Sequence, residues 1–128
     1  MDLIARGRRI VQKEAEALSA LADSIGDSFD RAVRRLLACE GRIVLTGVGK
    51  SGNIGHKIAA TFNSTGAVAV VLHSQNALHG DLGLLADGDA VVALSYSGET
   101  AELLDLLPHI VVAEQVGPRS RRALALLC

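Results

Sequence analysis

Apolar residues recur at helical spacing near the start of the chain. They are Ile4, Val11, Ala15, Leu18, Leu21 and Ile25. Because charged Arg, Lys and Glu residues lie between them, the pattern predicts one amphipathic helix that ends near Gly26. Asp27 and Ser28 can cap a second helix, which has its own apolar stripe and ends before Gly41.

The hydrophobic pattern then changes to short continuous runs rich in Val and Ile. The three runs are RIVLT (42–46), VAVVL (68–72) and AVVAL (90–94). Such runs are typical of strands buried on both faces of a parallel sheet. The segment between the first two has helical spacing and closes at Gly66, so strand, helix and strand form one right-handed crossover. The pattern predicts an α/β fold with two leading helices.

Composition and charge argue against nucleic-acid binding. The 128 residues are 49% hydrophobic and 21% charged, as in a packed globular protein. With 13 Lys and Arg against 14 Asp and Glu, the chain has no excess of basic residues to neutralise a phosphate backbone. One Tyr, two Phe and no Trp cannot build a base-stacking surface. We expect no nucleic-acid partner.

The cysteines and the apolar segments point to a cytoplasmic protein. Cys39 and Cys128 lack the spacing of a disulfide scaffold or a zinc knuckle. Charged residues interrupt the opening segment, so it lacks the continuous apolar stretch of a secretory signal. No later apolar run approaches the length needed to span a bilayer. We therefore expect a cytoplasmic location and no membrane partner.

A glycine-rich segment, TGVGKSGNIG (46–55), follows the first predicted strand and opens a helix. The free amides and the dipole of a helix start favour an anion at such a place. A Walker loop fails on spacing, because Val44 stands where a glycine is required five residues before Gly49. The pattern G-x-G-x-x-G is present at 47–52, but no Asp or Glu from 51 to 80 can hold a ribose. A dinucleotide site is therefore disfavoured.

A second loop, SYSGET (95–100), follows the third predicted strand and precedes a helical segment. It presents the hydroxyls of Ser95, Ser97 and Thr100 at a helix start, and Gly98 allows close backbone approach. Hydroxyl residues before a helix often serve only as caps. Three of them beside the lysine of the first loop favour a monophosphate pocket, which the amides near Ser51 would complete.

Three motifs closely resemble the sugar isomerase (SIS) domain, and within it the arabinose-5-phosphate isomerase family. They are TGVGKSGNIGHKIAATFNSTG, ALHGDLG and LSYSGETAELLDLLP, and the similarity runs from about Gly41 to Pro108. The resemblance implies a three-layer αβα sandwich around a parallel sheet and assembly into homo-dimers or homo-tetramers. It also implies interconversion of D-arabinose 5-phosphate and D-ribulose 5-phosphate through an enediol, without a cofactor. That reaction supplies the octulosonate sugar of lipopolysaccharide.

The resemblance further implies roles for individual residues. Lys50 and Glu102 match catalytic positions, where Lys50 would stabilise the enediolate or hold the phosphate and Glu102 would relay a proton. The positions that match substrate contacts are Gly66, Ala67, His73 and His79. The family also binds an inhibitory zinc ion at the position of His73. We expect His56 and His109 to be surface residues.

The sequence departs from the family pattern after Pro108. Family members continue into a fourth strand and a later helix that supply a second glutamate and a catalytic histidine. Here the segment HIVVAEQVGPRSRRALALLC contains one acidic residue, Glu114, and no His after His109. We therefore expect one partial SIS domain over 1–128 without CBS modules. Its predicted parts are a helical lead-in at 1–40, a sugar-phosphate-binding core at 41–108 and an atypical tail at 109–128.

Two structures and two further functions stay open for this chain. IVVAE (110–114) either extends the preceding helix or packs loosely, which leaves a three-stranded sheet with an open edge, prone to association and inactive. Alternatively, IVVAE is a strand and SRRALALL (120–127) contributes a last helix in a natural short form. Besides the isomerase, the chain fits a sugar-phosphate-binding module without turnover, or a structural fragment that oligomerises through residues 2–25.

Overall fold

The computed structural model describes residues 1–111 and the strand at 122–127. The helices are α1 (Leu3–Ser24), α2 (Asp27–Leu37), α3 (Lys50–Ser64), α4 (Ser74–Ala77) and α5 (Ala101–Val111). The strands are β1 (Ile43–Gly47), β2 (Ala69–Leu72), β3 (Ala90–Ser95) and β4 (Arg122–Leu127). A 3-10 turn covers Asp81–Leu84. Both leading helices and all three predicted strands are therefore confirmed, whereas α4 and the 3-10 turn were not predicted.

The chain forms two compact units, residues 1–31 and 32–128. In the first unit, Asp2 caps α1 by accepting a hydrogen bond from the backbone N–H of Ala5 at 3.0 Å. No side chain of α1 is buried. The division between the two units falls within α2. In the part of the chain that the structure describes, no helix combines the length and apolarity needed to cross a bilayer.

The second unit is built on a parallel sheet with the strand order β2-β1-β3-β4. Ile43 of β1 lies opposite Ala69 of β2 and opposite Ala90 of β3. Because all these strands run in one direction, their carboxyl ends meet at one edge of the sheet and their amino ends at the other. The loops that follow β1 and β3 are neighbours at the carboxyl edge.

Helices cover both faces of this sheet. The face under α3 buries a cluster of Ile43, Leu45, Ala59, Ala69, Val92 and Leu94. The opposite face, under α4 and α5, buries Val44, Leu72, Ala77, Leu85, Val91, Leu106 and Ile110. Successive residues such as Val44 and Leu45 thus point into different layers, which explains why the central strands are continuous apolar runs. The predicted αβα sandwich is confirmed.

The C-terminal strand corrects the expectation of a three-stranded sheet that is open beside β3. Residues 122–127 pair in parallel along the full length of β3. The alternative in which this segment forms a last helix is wrong as well. Ala and Leu favour helices in isolation, but pairing with a buried strand overrides that propensity. The first two residues of the segment IVVAE, Ile110 and Val111, extend α5 as predicted. Its last three residues, 112–114, lie outside the described residues.

A side chain caps the outer edge of β2. Asn63 Oδ1 accepts a hydrogen bond from the backbone N–H of Ala69 at 2.9 Å. Its Nδ2 donates to the carbonyl oxygen of Ala69 at 2.8 Å. The amide of Asn63 therefore takes the place of a neighbouring strand and satisfies backbone groups that an edge strand would otherwise leave unpaired.

An ion pair joins the amino ends of β1 and β3. Arg42 Nη2 lies 2.7 Å from Asp89 Oδ2, and the backbone N–H of Arg42 donates to Asp89 Oδ1 at 2.8 Å. The backbone N–H of Ala86 donates to Asp89 Oδ2 at 2.9 Å. Burial favours the neutral acid, but the hydrogen bonds and the charge of Arg42 outweigh burial and hold the pKa of Asp89 below its usual value.

Replacing Asp89 with Asn is expected to lower the free energy of unfolding by about 2 kcal/mol at pH 7, because it removes the counter-charge of Arg42. This value lies below that of a fully buried pair, since the Arg42 side chain is 36% exposed. The folded pKa of Asp89 is the lower one, so the pair stabilises the chain above about pH 4 and loses that effect in more acidic solution.

Urea unfolding of the parent chain and of Asp89→Asn at pH 7 and pH 3 measures both effects. The stability difference should shrink at pH 3. Asp87→Asn is the matched control, because Asp87 is exposed and lies two residues away. A difference that is the same at both pH values, or that Asp87→Asn reproduces, contradicts the assignment.

Candidate functional site

A glycine turn holds the start of α3 against the end of β1. Gly49 precedes α3 with φ 59°, a backbone conformation that favours glycine. A Cβ atom on Gly47 would lie 2.9 Å from the carbonyl carbon of Ser51, and one on Gly52 would lie 2.8 Å from the carbonyl oxygen of Gly47. Only glycine fits at these two positions without movement of the backbone. The first turn of α3, with its unpaired N–H groups, is thereby fixed at the carboxyl edge of the sheet.

The loop between β3 and α5 is shaped by its own hydroxyl groups. Ser95 Oγ accepts a hydrogen bond from the backbone N–H of Gly98 at 2.9 Å and lies 2.9 Å from Thr100 Oγ1. Ser97 Oγ accepts from the backbone N–H of Glu99 at 3.1 Å. Gly98 has φ 72°, so glycine also suits this turn. Ser95 is buried, whereas Ser97 is exposed.

One cavity of about 300 Å³ joins these two loops. Its lining residues are Lys50, Ser51, Ile54, Leu94, Ser95 and Tyr96. The loops meet because β1 and β3 are neighbours in the sheet. A lysine, two hydroxyls and a helix start therefore share one opening, and the volume suits a small organic molecule. Such a group of donors can bind a monoanionic or dianionic phosphate.

The structure brings together three of the residues predicted to act on a sugar phosphate, namely Lys50, Ser51 and Ser95. Ser97 and Thr100 belong to the same loop as Ser95 but do not line the cavity. Their contact with a phosphate stays a prediction.

Three other predicted residues lie at or near the carboxyl edge. Glu102 is half-buried in the first turn of α5. His73 directly follows β2 and is exposed, and His79 is exposed between α4 and the 3-10 turn. His56 is exposed, as expected for a surface residue, and its ring centroid lies 5.5 Å from that of His73. None of the three predicted residues lines the cavity described above.

Gly66 and Ala67 lie at the opposite edge of the sheet. They precede β2, beside the hydrogen bond at 2.9 Å from the backbone N–H of Ile43 to the carbonyl oxygen of Val68. The strands of the sheet separate them from the cavity. The structure therefore does not bring these two residues together with Lys50 and Ser95 within this chain.

The surroundings of His73 do not provide a metal site by themselves. Within residues 1–111, no group of three or more His, Cys, Asp or Glu side chains is arranged to hold a metal ion. His56 is the imidazole in ring contact with His73, and protein zinc sites generally use three or four ligands. The zinc ion predicted at His73 stays a prediction.

The apolar part of the cavity lining was not predicted. Ile54, Leu94 and Tyr96 line the cavity beside the polar residues. Two of them could have been predicted from their positions in the sequence. Ile54 follows Lys50 by four residues and so lies on the same helix face, and Tyr96 directly follows Ser95.

Comparison with known proteins identifies the family. The SIS domain matches residues 36–119. The chain belongs to the SIS domain family. Among similar proteins, arabinose 5-phosphate isomerase KdsD of Pseudomonas aeruginosa is 46% identical over 110 residues, which cover 86% of this chain and 34% of the relative. Arabinose 5-phosphate isomerase GutQ of Escherichia coli K12 is 44% identical over 108 residues, which cover 84% of this chain and 34% of the relative.

This SIS-domain chain thus spans about a third of the length of these curated relatives. A solved structure of E. coli CFT073 c3406 in complex with A5P is also similar, with a TM-score of 0.87 and 37% sequence identity. The match covers 98% of this chain and 64% of that one. The αβα arrangement is therefore that of SIS-domain proteins.

Substitution of Gly52 by Ala tests the close approach of β1 and α3 in this SIS domain. The added methyl group would meet the carbonyl oxygen of Gly47, so the free energy of unfolding should fall by about 1–3 kcal/mol. Gly55→Ala is the matched control on the same helix, because its Cβ would meet Leu45 and Leu94 at 3.6 and 3.7 Å, ordinary contact distances. In a helix interior that change should be neutral or stabilising. Equal urea midpoints for the two variants would contradict the packing argument.

Proposed function

We propose that this chain forms the sugar-phosphate-binding part of an aldose–ketose isomerase that interconverts D-arabinose 5-phosphate and D-ribulose 5-phosphate. The observation that carries the proposal is the meeting of Lys50, Ser51 and Ser95 around one cavity at a helix start. The two curated relatives are named arabinose 5-phosphate isomerases, and the similar structure is a complex with A5P. These names support the choice of substrate.

The phosphate is proposed to lie at the start of α3. Backbone N–H groups of the first helical turn have no partner within the helix, and the helix dipole adds partial positive charge there. Lys50 adds a full positive charge at the same place, and Ser51 and Ser95 add hydroxyls. The anion would therefore fix one end of the sugar while the carbon chain extends along the cavity.

The reaction moves a proton between two adjacent carbons through an enediol. It requires a base for the carbon-bound proton and positive charge or donors for the oxygen of the enediolate. With the phosphate at the start of α3, we assign phosphate binding to Lys50 and proton relay to Glu102; if the sugar lies the other way round, Lys50 stabilises the enediolate instead. His73 and His79 are proposed to contact the substrate at the same edge of the sheet, whereas Gly66 and Ala67 lie at the opposite edge and are assigned no contact.

We further infer that the reaction takes place in the cytoplasm, where it would supply the octulosonate sugar of lipopolysaccharide. Self-association through α1 is part of the proposal. Ile4, Val11 and Leu18 are 71%, 68% and 67% exposed and recur every seven residues, a spacing that suits packing of one helix against another.

A binding module without turnover is the second candidate. The observation that favours it is that Lys50, Ser51 and Ser95 line the cavity, whereas Glu102, His73 and His79 do not. Phosphate binding at Lys50 would persist in such a module, whereas isomerisation would not.

Titration with D-arabinose 5-phosphate, followed by both binding heat and ketose formation, separates the candidates. Binding with ketose formation supports the isomerase, and binding without it supports the module. Unphosphorylated D-arabinose is the control ligand, and it should bind far more weakly because it lacks the anion. Absence of binding heat and of ketose contradicts both candidates.

Replacing Lys50 with Ala should weaken binding of D-arabinose 5-phosphate by at least about tenfold, since a charge-assisted hydrogen bond contributes roughly 1.5–3 kcal/mol. Turnover, where the parent chain has it, should be lost. Lys50 is exposed, so the free energy of unfolding should change by less than about 0.5 kcal/mol. Lys57→Ala, an exposed lysine on the same helix outside the cavity, should bind like the parent. Loss of folding in Lys50→Ala would show that this lysine is structural.

A further inference from the structure

The cavity at the carboxyl edge has an apolar wall, formed by Ile54, Leu94 and Tyr96. Two of these side chains are uncovered, since Tyr96 is 93% exposed and Ile54 is 53% exposed. Tyr96 is also the only tyrosine of the chain, and it directly follows the buried Ser95. Large exposed apolar side chains beside a few convergent polar groups are typical of a small-molecule site.

We propose that Tyr96, together with Ile54, contacts the carbon skeleton of the bound sugar and determines which phosphorylated sugars the site accepts. This inference rests on the proposed function. The phosphate and its contacts with Lys50 are common to all sugar monophosphates, so they cannot discriminate among them. Discrimination among sugar phosphates therefore depends on residues that contact the carbon chain. The apolar wall is exposed and lies next to the proposed phosphate position, where it can make such contacts.

The geometry favours a sugar over other occupants of this wall. Ile54 lies one helical turn after Lys50 on the same face of α3, so a molecule anchored at the lysine reaches the isoleucine within a few ångströms. A tyrosine ring offers a large, rigid contact area for C–H groups, and its hydroxyl can remain in water.

Intrinsic fluorescence provides a direct test, because the chain contains one Tyr and no Trp. All emission of the full chain on excitation of tyrosine therefore comes from Tyr96. Titration with D-arabinose 5-phosphate should change this emission in a saturable way, while inorganic phosphate should change it little. Emission that responds equally to both ligands, or that changes with protein concentration in the absence of ligand, overturns the inference. The second result would show that another copy of the chain covers the ring.

Calorimetry on two variants tests the same contact by affinity. Tyr96→Ala should weaken binding of D-arabinose 5-phosphate by about tenfold and change binding of inorganic phosphate by less than about twofold. Tyr96→Phe should bind like the parent, because the ring surface rather than the hydroxyl makes the contact. Leu37→Ala, which removes another exposed apolar side chain far from the loops in sequence, is the control.

The outcomes distinguish this inference from the proposed function. If the parent chain binds D-arabinose 5-phosphate and Tyr96→Ala binds it equally well, the inference is wrong and the proposed function stands. If Tyr96→Ala loses affinity for both ligands to the same extent, the ring shapes the phosphate end and the inference is wrong. If the parent chain binds D-arabinose 5-phosphate no more tightly than inorganic phosphate, the inference and the proposed function are both wrong.

Discussion

The close contact between the end of β1 and the first turn of α3 is the constraint on which the cavity depends. Gly47 and Gly52 allow the two backbones to approach within distances that no Cβ atom tolerates. This approach aims the unpaired N–H groups of α3 at the carboxyl edge and places Lys50 beside the loop that follows β3. A larger residue at either glycine would push α3 outward and separate Lys50 from Ser95.

The two edges of the sheet perform different tasks. At the amino edge, buried polar groups are paired within the protein, as in the bonds from Arg42 and Ala86 to Asp89. These bonds fix the register of β1 and β3 at their starts. At the carboxyl edge, Lys50 and Tyr96 are exposed, so their groups remain available to a ligand. A parallel register that is set at the start of two strands also sets where their ends lie, and with them the loops that line the cavity.

Much of the fold could be predicted from sequence. Continuous apolar runs indicate strands buried on both faces, and glycine or Asp marks the residues where the helices begin or end. The polar side of the cavity could be predicted too, since Lys50, Ser51 and Ser95 belong to motifs at helix starts. The strand at 122–127 could not, because Ala and Leu carry a helical propensity that only pairing with β3 reverses. The position of Gly66 at the amino edge follows from strand direction, which the motif alone does not convey.

The hydrogen bonds within the loop after β3 determine how many hydroxyl protons of Ser95 and Thr100 remain available to an anion. A hydroxyl supplies one proton and two acceptor positions. Ser95 Oγ already accepts from Gly98, and one proton is shared between Ser95 and Thr100. Of the two hydroxyl protons, one therefore remains free. Since Ser95 lines the cavity and Thr100 does not, the useful arrangement has Thr100 donating to Ser95, which leaves the Ser95 proton for a phosphate oxygen. In that arrangement Thr100 would set the direction of the one donor that Ser95 can offer to an anion.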